Sequence, residues 1–325
     1  MEYTYRLLTS ENLADLNELF KAAFKNEPGV NLMKWKYFDN PAGDAILVGA
    51  FDGKTLVASG AMVPEKMIVC NREELIFKCA DLMTHPDYQR KGISKKINEL
   101  LSKKTQGNFT PFSYTLCSKV STKSFVRNDW TFIEKVVNFF KPYILIKAGA
   151  IFKKNDFKSF GFYNNVEKHL DSYKFKNDPA SIVLKKDPAY IKWRTSHPNF
   201  VYKIICSYDD CKNVNGYLIY SISSNNLLNV LDVESSSDNI KILDQLLDCA
   251  EYITMKEKYR GIVILTIKNS PFFKRIKKKN YLVNPFKKGP LHTILDFNII
   301  QYKVNTESIS DPGIWDINGL SYDDI

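Results

Sequence analysis

The densest chemistry in the sequence lies in one turn, Thr84-His85-Pro86-Asp87-Tyr88-Gln89-Arg90-Lys91-Gly92-Ile93-Ser94. It follows the apolar run Leu75 to Met83, which reads as a strand, and precedes a helical pattern carrying Ile97, Leu100 and Leu101. A strand that turns into a helix this way leaves backbone N–H groups exposed at the positive end of the helix dipole, where a pyrophosphate can sit. Gly92 permits close approach, and Arg90 and Lys91 add charge. Taken alone, a basic turn with one glycine describes a solvated helix start equally well.

The elements around this turn alternate. Tyr3 to Leu8 reads as a strand, and Thr9-Ser10-Glu11 offers an N-cap to a helix striped with Leu13, Leu16, Leu19, Phe20 and Ala23. Asn31 to Phe38 reads as a second helix. Asp52-Gly53 is a hairpin signal between strands at Ala45 to Phe51 and Thr55 to Val63. Beyond the turn come a strand from Phe112 to Cys117, a short helix from Ser121 to Arg127 and extended chain from Thr131 to Ile146. Residues 150–180 are aromatic, basic and irregular, and read as a connecting segment packed on the surface.

A second unit then repeats the order. It has a helix at Asp187 to Arg194, strands at Phe200 to Ser207, Gly216 to Ile222 and Leu227 to Val233, and an amphipathic helix at Asn239 to Lys256. A buried strand at Gly261 to Ile267, a basic helix from Ser270 to Lys279 and a late strand at Leu291 to Phe297 follow. The shared order points to an internal duplication with units at 1–149 and 181–325, although no residue-level repeat is visible.

Composition bounds the function. The 325 residues are 44% hydrophobic and 25% charged, which suits about two globular domains. No run approaches the ~20 apolar residues of a bilayer span. The polar, strand-like start Met1-Glu2-Tyr3 is no signal peptide, so a soluble cytoplasmic protein is expected, with no membrane partner. Lys and Arg number 46 against 36 Asp and Glu, a net +10 that favours phosphorylated small molecules, nucleic acid or acidic lipid. The six cysteines (Cys70, Cys79, Cys117, Cys206, Cys211 and Cys249) fit neither a zinc site nor a disulfide framework. With four histidines and no clustered set, no metal is expected.

Context sharpens the turn. It resembles the acyl-coenzyme A loop of the GNAT N-acyltransferase superfamily, L-x-V-x-P-x-Y-[QR]-x-x-G-x-[GA], at the junction of strand 4 and helix 3. Leu82, Pro86, Tyr88, Gln89 and Gly92 match, Thr84 replaces the valine and Ser94 the last small residue. The resemblance covers about residues 1–147. It implies an α/β (α+β) fold of tandem GNAT units, mixed and mostly antiparallel sheets flanked by helices, with a degenerate second copy.

By the same resemblance, backbone groups of Leu82, Met83 and Thr84 pair with the pantetheine arm as an added strand would. Gln89 and the N–H groups of Arg90, Lys91, Gly92, Ile93 and Ser94 hold the pyrophosphate, and a backbone N–H near Thr84 polarises the thioester carbonyl. The helix 4 pattern N-x-x-[AS]-x-x-L-Y-x-x-x-G-[FW] is met by Ser118, Ser121, Ser124, Phe125, Asp129 and Trp130. Phe125 thus stands where many members place a tyrosine general acid. In the second unit the corresponding turn, Leu231 to Asp238, is acidic and lacks glycine, so it should repel coenzyme A.

The attacking amine must be neutral, which makes Asp81 the candidate base; its bland role is a strand-end carboxylate paired with a lysine. Trp35 and Tyr37 are candidates for the acceptor pocket, with core packing as the alternative. Tyr190, Trp193, Arg194 and His197 are candidate acceptor contacts: an aromatic to stack a base and an arginine to fork a diphosphate. This stretch resembles an element of two-unit GNAT proteins that acylate nucleotide-linked amino sugars in polysaccharide (O-antigen) gene clusters. Trp315 and Asp316 could form a flap.

The expected activity is direct transfer from acyl-coenzyme A, acetyl or longer such as 3-hydroxybutanoyl, to the amine of a dTDP- or UDP-amino sugar, by a monomer or homodimer that binds no nucleic acid. Two other readings stand beside it: transfer to a polyamine, aminoglycoside or protein lysine, and a non-catalytic basic module for nucleic acid or membrane surfaces. The basic run Lys274 to Lys279 is then either a solvated helix face or that module's patch.

Overall fold

The computed structural model describes residues 2–69, 71–106, 112–117, 119–127, 130–150, 157–171, 173–175, 182–236, 239–268, 270–283, 298–302 and 315–316. The first unit comprises β1 (Thr4–Leu7), α1 (Leu13–Phe24), α2 (Val30–Tyr37), β2 (Ile46–Asp52), β3 (Thr55–Val69), β4 (Arg72–Thr84), α3 (Ile93–Gln106), β5 (Ser113–Cys117), α4 (Lys119–Arg127) and β6 (Trp130–Pro142). Next come α5 (Tyr143–Ala150), β7 (Phe160–Tyr163), α6 (Glu167–Leu170), β8 (Ile182–Leu184), α7 (Pro188–Thr195), β9 (Tyr202–Tyr208), β10 (Val214–Ile222) and β11 (Leu228–Ser235). The last elements are α8 (Ile240–Lys256), β12 (Gly261–Ile267), α9 (Pro271–Lys278), β13 (Leu282–Val283), β14 (Asn298–Tyr302) and β15 (Trp315–Asp316).

Local chemistry accounts for most of these boundaries. Thr9 caps the turn into α1, Asp187 accepts from Tyr190 N at the start of α7, and Ser270 accepts from Phe273 N at the start of α9. Both α7 and α9 also place a proline in the first turn, where its missing N–H costs nothing. The α1 stripe buries Leu13, Leu16, Leu19 and Phe20 against the first sheet, each contributing about 2 kcal/mol of apolar burial.

Two mostly antiparallel sheets result. In the first, β1, β2, β3 and β4 form an antiparallel meander, and α3 carries the chain across to β5, parallel to β4. In the second, β7, β9, β10 and β11 are antiparallel, and α8 carries the chain to β12, parallel to β11. The element order read from the sequence is therefore realised twice. The sheets exchange strands: β6 pairs with β14 over Trp130–Lys135 and with β12 over Val136–Pro142, while β14 lies between β5 and β6. Each sheet is completed by a strand from the other half of the chain.

Three expectations change. Tyr143 to Ile146 is helical rather than extended, because β6 ends where Tyr143 N bonds Arg260 O and α5 begins. Residues 150–180 are more than a connection: β7 forms the edge of the second sheet, and Val166, Leu170 and Tyr173 are buried in its core. Trp315 is no flap, since its indole is enclosed against Phe112 and Tyr114 at 5.4 and 5.9 Å between ring centroids. The strand expected at Leu291 to Phe297 lies outside the described residues.

Candidate active site

The parallel pairing of β4 with β5 covers only Phe77 with Ser113 and Lys78 with Tyr114, after which the strands part. Thr115 Oγ1 still reaches Cys79 O at 2.9 Å, but β4 continues to Thr84 with no described strand along that edge. Along Leu82–Thr84 the backbone groups that face away from β3 are thus open to an extended ligand lying beside them, except Thr84 O, which accepts from Gln89 Nε2.

A bulge precedes this open edge. Ser59 pairs with Met83 and Ala61 with Ala80, so Asp81 and Leu82 together oppose Gly60. Asp81 has φ +48°, a left-handed conformation unusual for a residue other than glycine. Opposite it, a Cβ on Gly60 would come within 3.1 Å of Leu82, Leu101 and Ile97 side chains, so the bulge needs a glycine there.

At the far end of β4, His85 N is held by Val57 O, Pro86–Tyr88 form a single 3-10 turn, and Gln89 Nε2 lies 3.4 Å from Thr84 O. Arg90 and Gly92 have φ of +62° and +79°. Among the described residues, nothing accepts from the backbone N–H groups of residues 90–94. This run of free donors at the start of α3 forms an anion cradle. The cradle and the open edge fit the pyrophosphate and pantetheine of coenzyme A. Lys91 Nζ packs 4.7 Å from the Tyr88 ring, whose hydroxyl donates to Asp52 at 3.0 Å, which stiffens the turn.

The carboxylate of Asp81 takes two donors on one oxygen. Lys36 Nζ lies 2.7 Å and Tyr37 Oη 2.5 Å from Oδ2, leaving Oδ1 without a donor among the described residues. Lys36 and Tyr37 are buried, whereas the Asp81 side chain keeps 15% exposure. The lysine partner weighed for Asp81 is therefore present, and it orients the carboxylate while leaving half of it free.

Other candidates take different places. Phe125 is buried edge-on to Trp130 at 4.9 Å, so the α4 position associated with a general acid is core; Ser118 and Asp129 lie outside the described residues. The thiols of Cys79 and Cys117 on the two parting strands are pushed up by burial, Cys79 to about 12. Thiols that stay protonated make poor acyl carriers, which suits direct transfer.

The expected acceptor contacts on α7 are corrected by burial. Tyr190, Trp193, Arg194 and His197 are all enclosed where α7 meets α2. Arg194 donates to Tyr202 Oη at 2.8 Å and stacks over Trp35 and Tyr202, so its fork is not presented to a diphosphate. Tyr37 is likewise fully buried, and Trp35 packs face to face on Trp193. Only edges of Trp35 and Trp193 reach a cleft of about 530 Å³, which Asn31, Lys34, Lys192 and Ser196 also line.

Lys36 is the residue that sequence reasoning misses. The triplet Lys34-Trp35-Lys36 on α2 is matched by Lys192-Trp193-Arg194 on α7, but three residues are too few to read as a repeat and do not show that Lys36 meets Asp81. Arg275 in the basic α9 and Lys279 just after it are tied to Asp244 and Asp248 of α8. Among the described residues there is no cluster of metal-ligating side chains and no helix long and apolar enough to cross a membrane.

Comparison with known proteins gives a domain and a fold. Residues 4–123 match the family model of the acetyltransferase (GNAT) domain. The fold is similar to that of a conserved Enterococcus faecalis protein, a probable N-acyltransferase, with TM-score 0.69 and 9% identity over 92% of this chain and 72% of that one. It is similar to a GCN5-related N-acetyltransferase from Anabaena variabilis, with TM-score 0.65 and 11% identity over 92% and 72% of the two chains. A tandem GNAT protein from the clavulanic acid biosynthesis pathway gives TM-score 0.63 and 11% identity over 92% of this chain and 98% of its own. No curated protein matches in sequence. Residues 4–123 therefore match a GNAT acetyltransferase domain, and the chain as a whole has a fold similar to that of a tandem GNAT protein. The enzyme class that follows is an acyl-coenzyme A dependent N-acyltransferase.

Proposed function

We propose that this enzyme acylates the primary amine of an amino sugar carried on a nucleotide, with Asp81 as the residue that meets the amine. The observation carrying the role of Asp81 is its placement: a bulge sets it immediately before the open edge Leu82–Thr84, with Oδ2 held by Lys36 and Tyr37 and Oδ1 free. An amine attacking a thioester laid along that edge must lose a proton, and a carboxylate at this point takes it directly or through water. The backbone N–H near Thr84 polarises the carbonyl under attack, and the cradle at residues 90–94 holds the pyrophosphate of the donor.

Support for a nucleotide-linked sugar comes from the net charge of +10 and from the two-unit resemblance that runs through Asp187 to Arg194. With Arg194 enclosed, the phosphates must be met by cations other than the one first expected. The acyl group is acetyl or a longer chain such as 3-hydroxybutanoyl.

Release of free thiol from acyl-coenzyme A tests the reading, with dTDP- and UDP-amino sugars set against free amino sugars, polyamines, an aminoglycoside and a lysine peptide. The nucleotide-linked sugars should give the highest kcat/KM. Equal rates with the free sugar would remove the nucleotide from the proposal. Asp81→Asn should lower kcat about 100-fold while leaving coenzyme binding intact.

A further inference from the structure

We propose that Trp193, a residue of the second unit, is a positioning residue for Asp81, acting across the seam through α2. This rests on the reading of Asp81 as the residue that meets the amine.

The seam is built on a reciprocal contact. The indoles of Trp35 and Trp193 stack with centroids 4.6 Å apart and planes 12° from parallel. Trp35 Nε1 donates to Trp193 O and Trp193 Nε1 donates to Trp35 O, each at 2.9 Å. The helices that carry them are eight residues each, and the Lys-Trp-Lys and Lys-Trp-Arg triplets occupy equivalent positions, which relates the two by an approximate two-fold axis.

The acceptor of the second bond matters most. Trp35 O belongs to the peptide unit that joins Trp35 to Lys36. At the end of α2 the next N–H groups, Phe38 and Asp39, both bond Lys34 O, so Trp35 O is left for the indole of the second unit. The bond from Trp193 thereby fixes the peptide from which Lys36 hangs, and Lys36 and then Tyr37 hold Oδ2 of Asp81. His197 and Arg194 close around the Trp35 ring at 4.5 and 5.7 Å.

Leu32, Met33 and Tyr37 seat this helix in the core and Ala45 N donates to Tyr37 O at 2.7 Å, but its start is weakly capped. Its first residue follows Gly29, which offers no side-chain cap, and Gly29 N is held by Asn17 Oδ1. A short helix with a weak start depends on its tertiary partners for its exact placement. Displacing α2 by a fraction of an ångström would spoil the 2.5 and 2.7 Å bonds to Asp81 before it disturbed the coenzyme cradle, which is built from β4 and α3.

The test uses the full-length enzyme and Trp193→Phe, which keeps an aromatic ring and deletes the N–H. We expect kcat to fall about tenfold, with the Kd for acyl-coenzyme A unchanged within twofold. Trp35→Phe should cost less, because it deletes the other donor and leaves Trp35 O to accept. The double variant with Asp81→Asn should be no slower than Asp81→Asn alone, since both losses act through one group. Multiplying losses, equal effects of the two phenylalanine variants, or a wild-type kcat for Trp193→Phe would each overturn the proposal. A wild-type kcat for Asp81→Asn would instead remove the underlying reading, an outcome distinguishable from the others.

Discussion

Lys186 lies 2.8 Å from Asp232 in the second sheet, as Lys36 lies 2.7 Å from Asp81 in the first. Each carboxylate also takes a tyrosine hydroxyl at 2.5 Å, from Tyr217 and Tyr37 respectively, and each lies where its strand slips register against the neighbour. The difference is access. The Asp232 side chain is 1% exposed and shares Lys186 with Glu234, whereas Asp81 reaches solvent. In the second unit the lysine–aspartate–tyrosine arrangement is closed into a core cluster, and such a cluster stabilises a fold without offering a group to a substrate.

One coenzyme A per chain is the expected stoichiometry. In the first unit the N–H groups leading into α3 are free, but α8 begins with Asn239, whose side chain accepts from Lys241 N at 3.0 Å. Asp232 and Glu234 add negative charge on the strand leading to that helix, which disfavours a pyrophosphate. Isothermal calorimetry with acetyl-coenzyme A should give a stoichiometry of one. A value of two per chain sinks the idea that the second unit lacks the site.

Gly92→Asp should abolish coenzyme binding and leave the fold in place. A Cβ at Gly92 meets nothing within 4 Å, so the substitution adds only the strain of a φ of +79°, about 1 kcal/mol. The new carboxylate, however, enters the cradle made by residues 90–94. Circular dichroism should match the wild type while affinity falls at least ~100-fold, since a like charge and a lost donor geometry both oppose the anion. Wild-type affinity in this variant would take the turn out of the site.

The cradle is legible in the sequence because its determinants are consecutive: Pro86 starts a turn, Gly92 takes a left-handed backbone and Ile93 begins a helix. The order of strands and helices is legible for the same reason, through capping residues and periodic apolar positions. Asp81 can be picked as a carboxylate beside the turn, but its left-handed φ and its hold by Lys36 come from a register slip that no local pattern encodes. Tyr190 and Arg194 read as open because a short helix ending in cations reads as surface; Arg194 is closed in by Tyr202 of its own unit and by Trp35 of the first, and the contact of α7 with α2 spans 158 residues of sequence between Trp35 and Trp193. The exchange of β6 and β14 between the sheets is equally non-local. Pairings of this kind are set by tertiary contacts between residues far apart in the chain.

Lys186→Met should be among the most costly single substitutions in the second unit. It would leave Asp232 and Glu234 buried without their cation, and burial already pushes the Asp232 carboxyl above its usual range. Removing one partner of a buried ion pair costs about 3–5 kcal/mol, because the remaining charge is uncompensated. Urea unfolding should show that loss, and Asp232→Asn added to Lys186→Met should recover part of it. A loss below ~1 kcal/mol would mean that the cluster is solvated in solution like a surface pair.

Alkaline pH should unfold the chain through its buried phenols. Burial raises the Tyr217 hydroxyl well above 10.0, helped by the charges of Asp232 and Glu234, and burial with Glu251 does the same to Tyr281. In the unfolded chain these groups titrate near 10, so above that pH the unfolded state releases protons that the native state retains. The stability they contribute is fully present below pH 10 and is lost as pH rises toward the folded values. Each such tyrosine should steepen the fall in unfolding free energy by about 1.4 kcal/mol per pH unit. Tyr217→Phe should lower stability at pH 7, by removing the bond to Asp232, yet make the decline between pH 10 and 11.5 shallower by about that amount. Urea titrations across this range measure both effects. Ionisation of Tyr217 near pH 10 in the native protein, read as the 295 nm absorbance difference between wild type and variant before unfolding, would show that the phenol is open to water and contradict the closed second site.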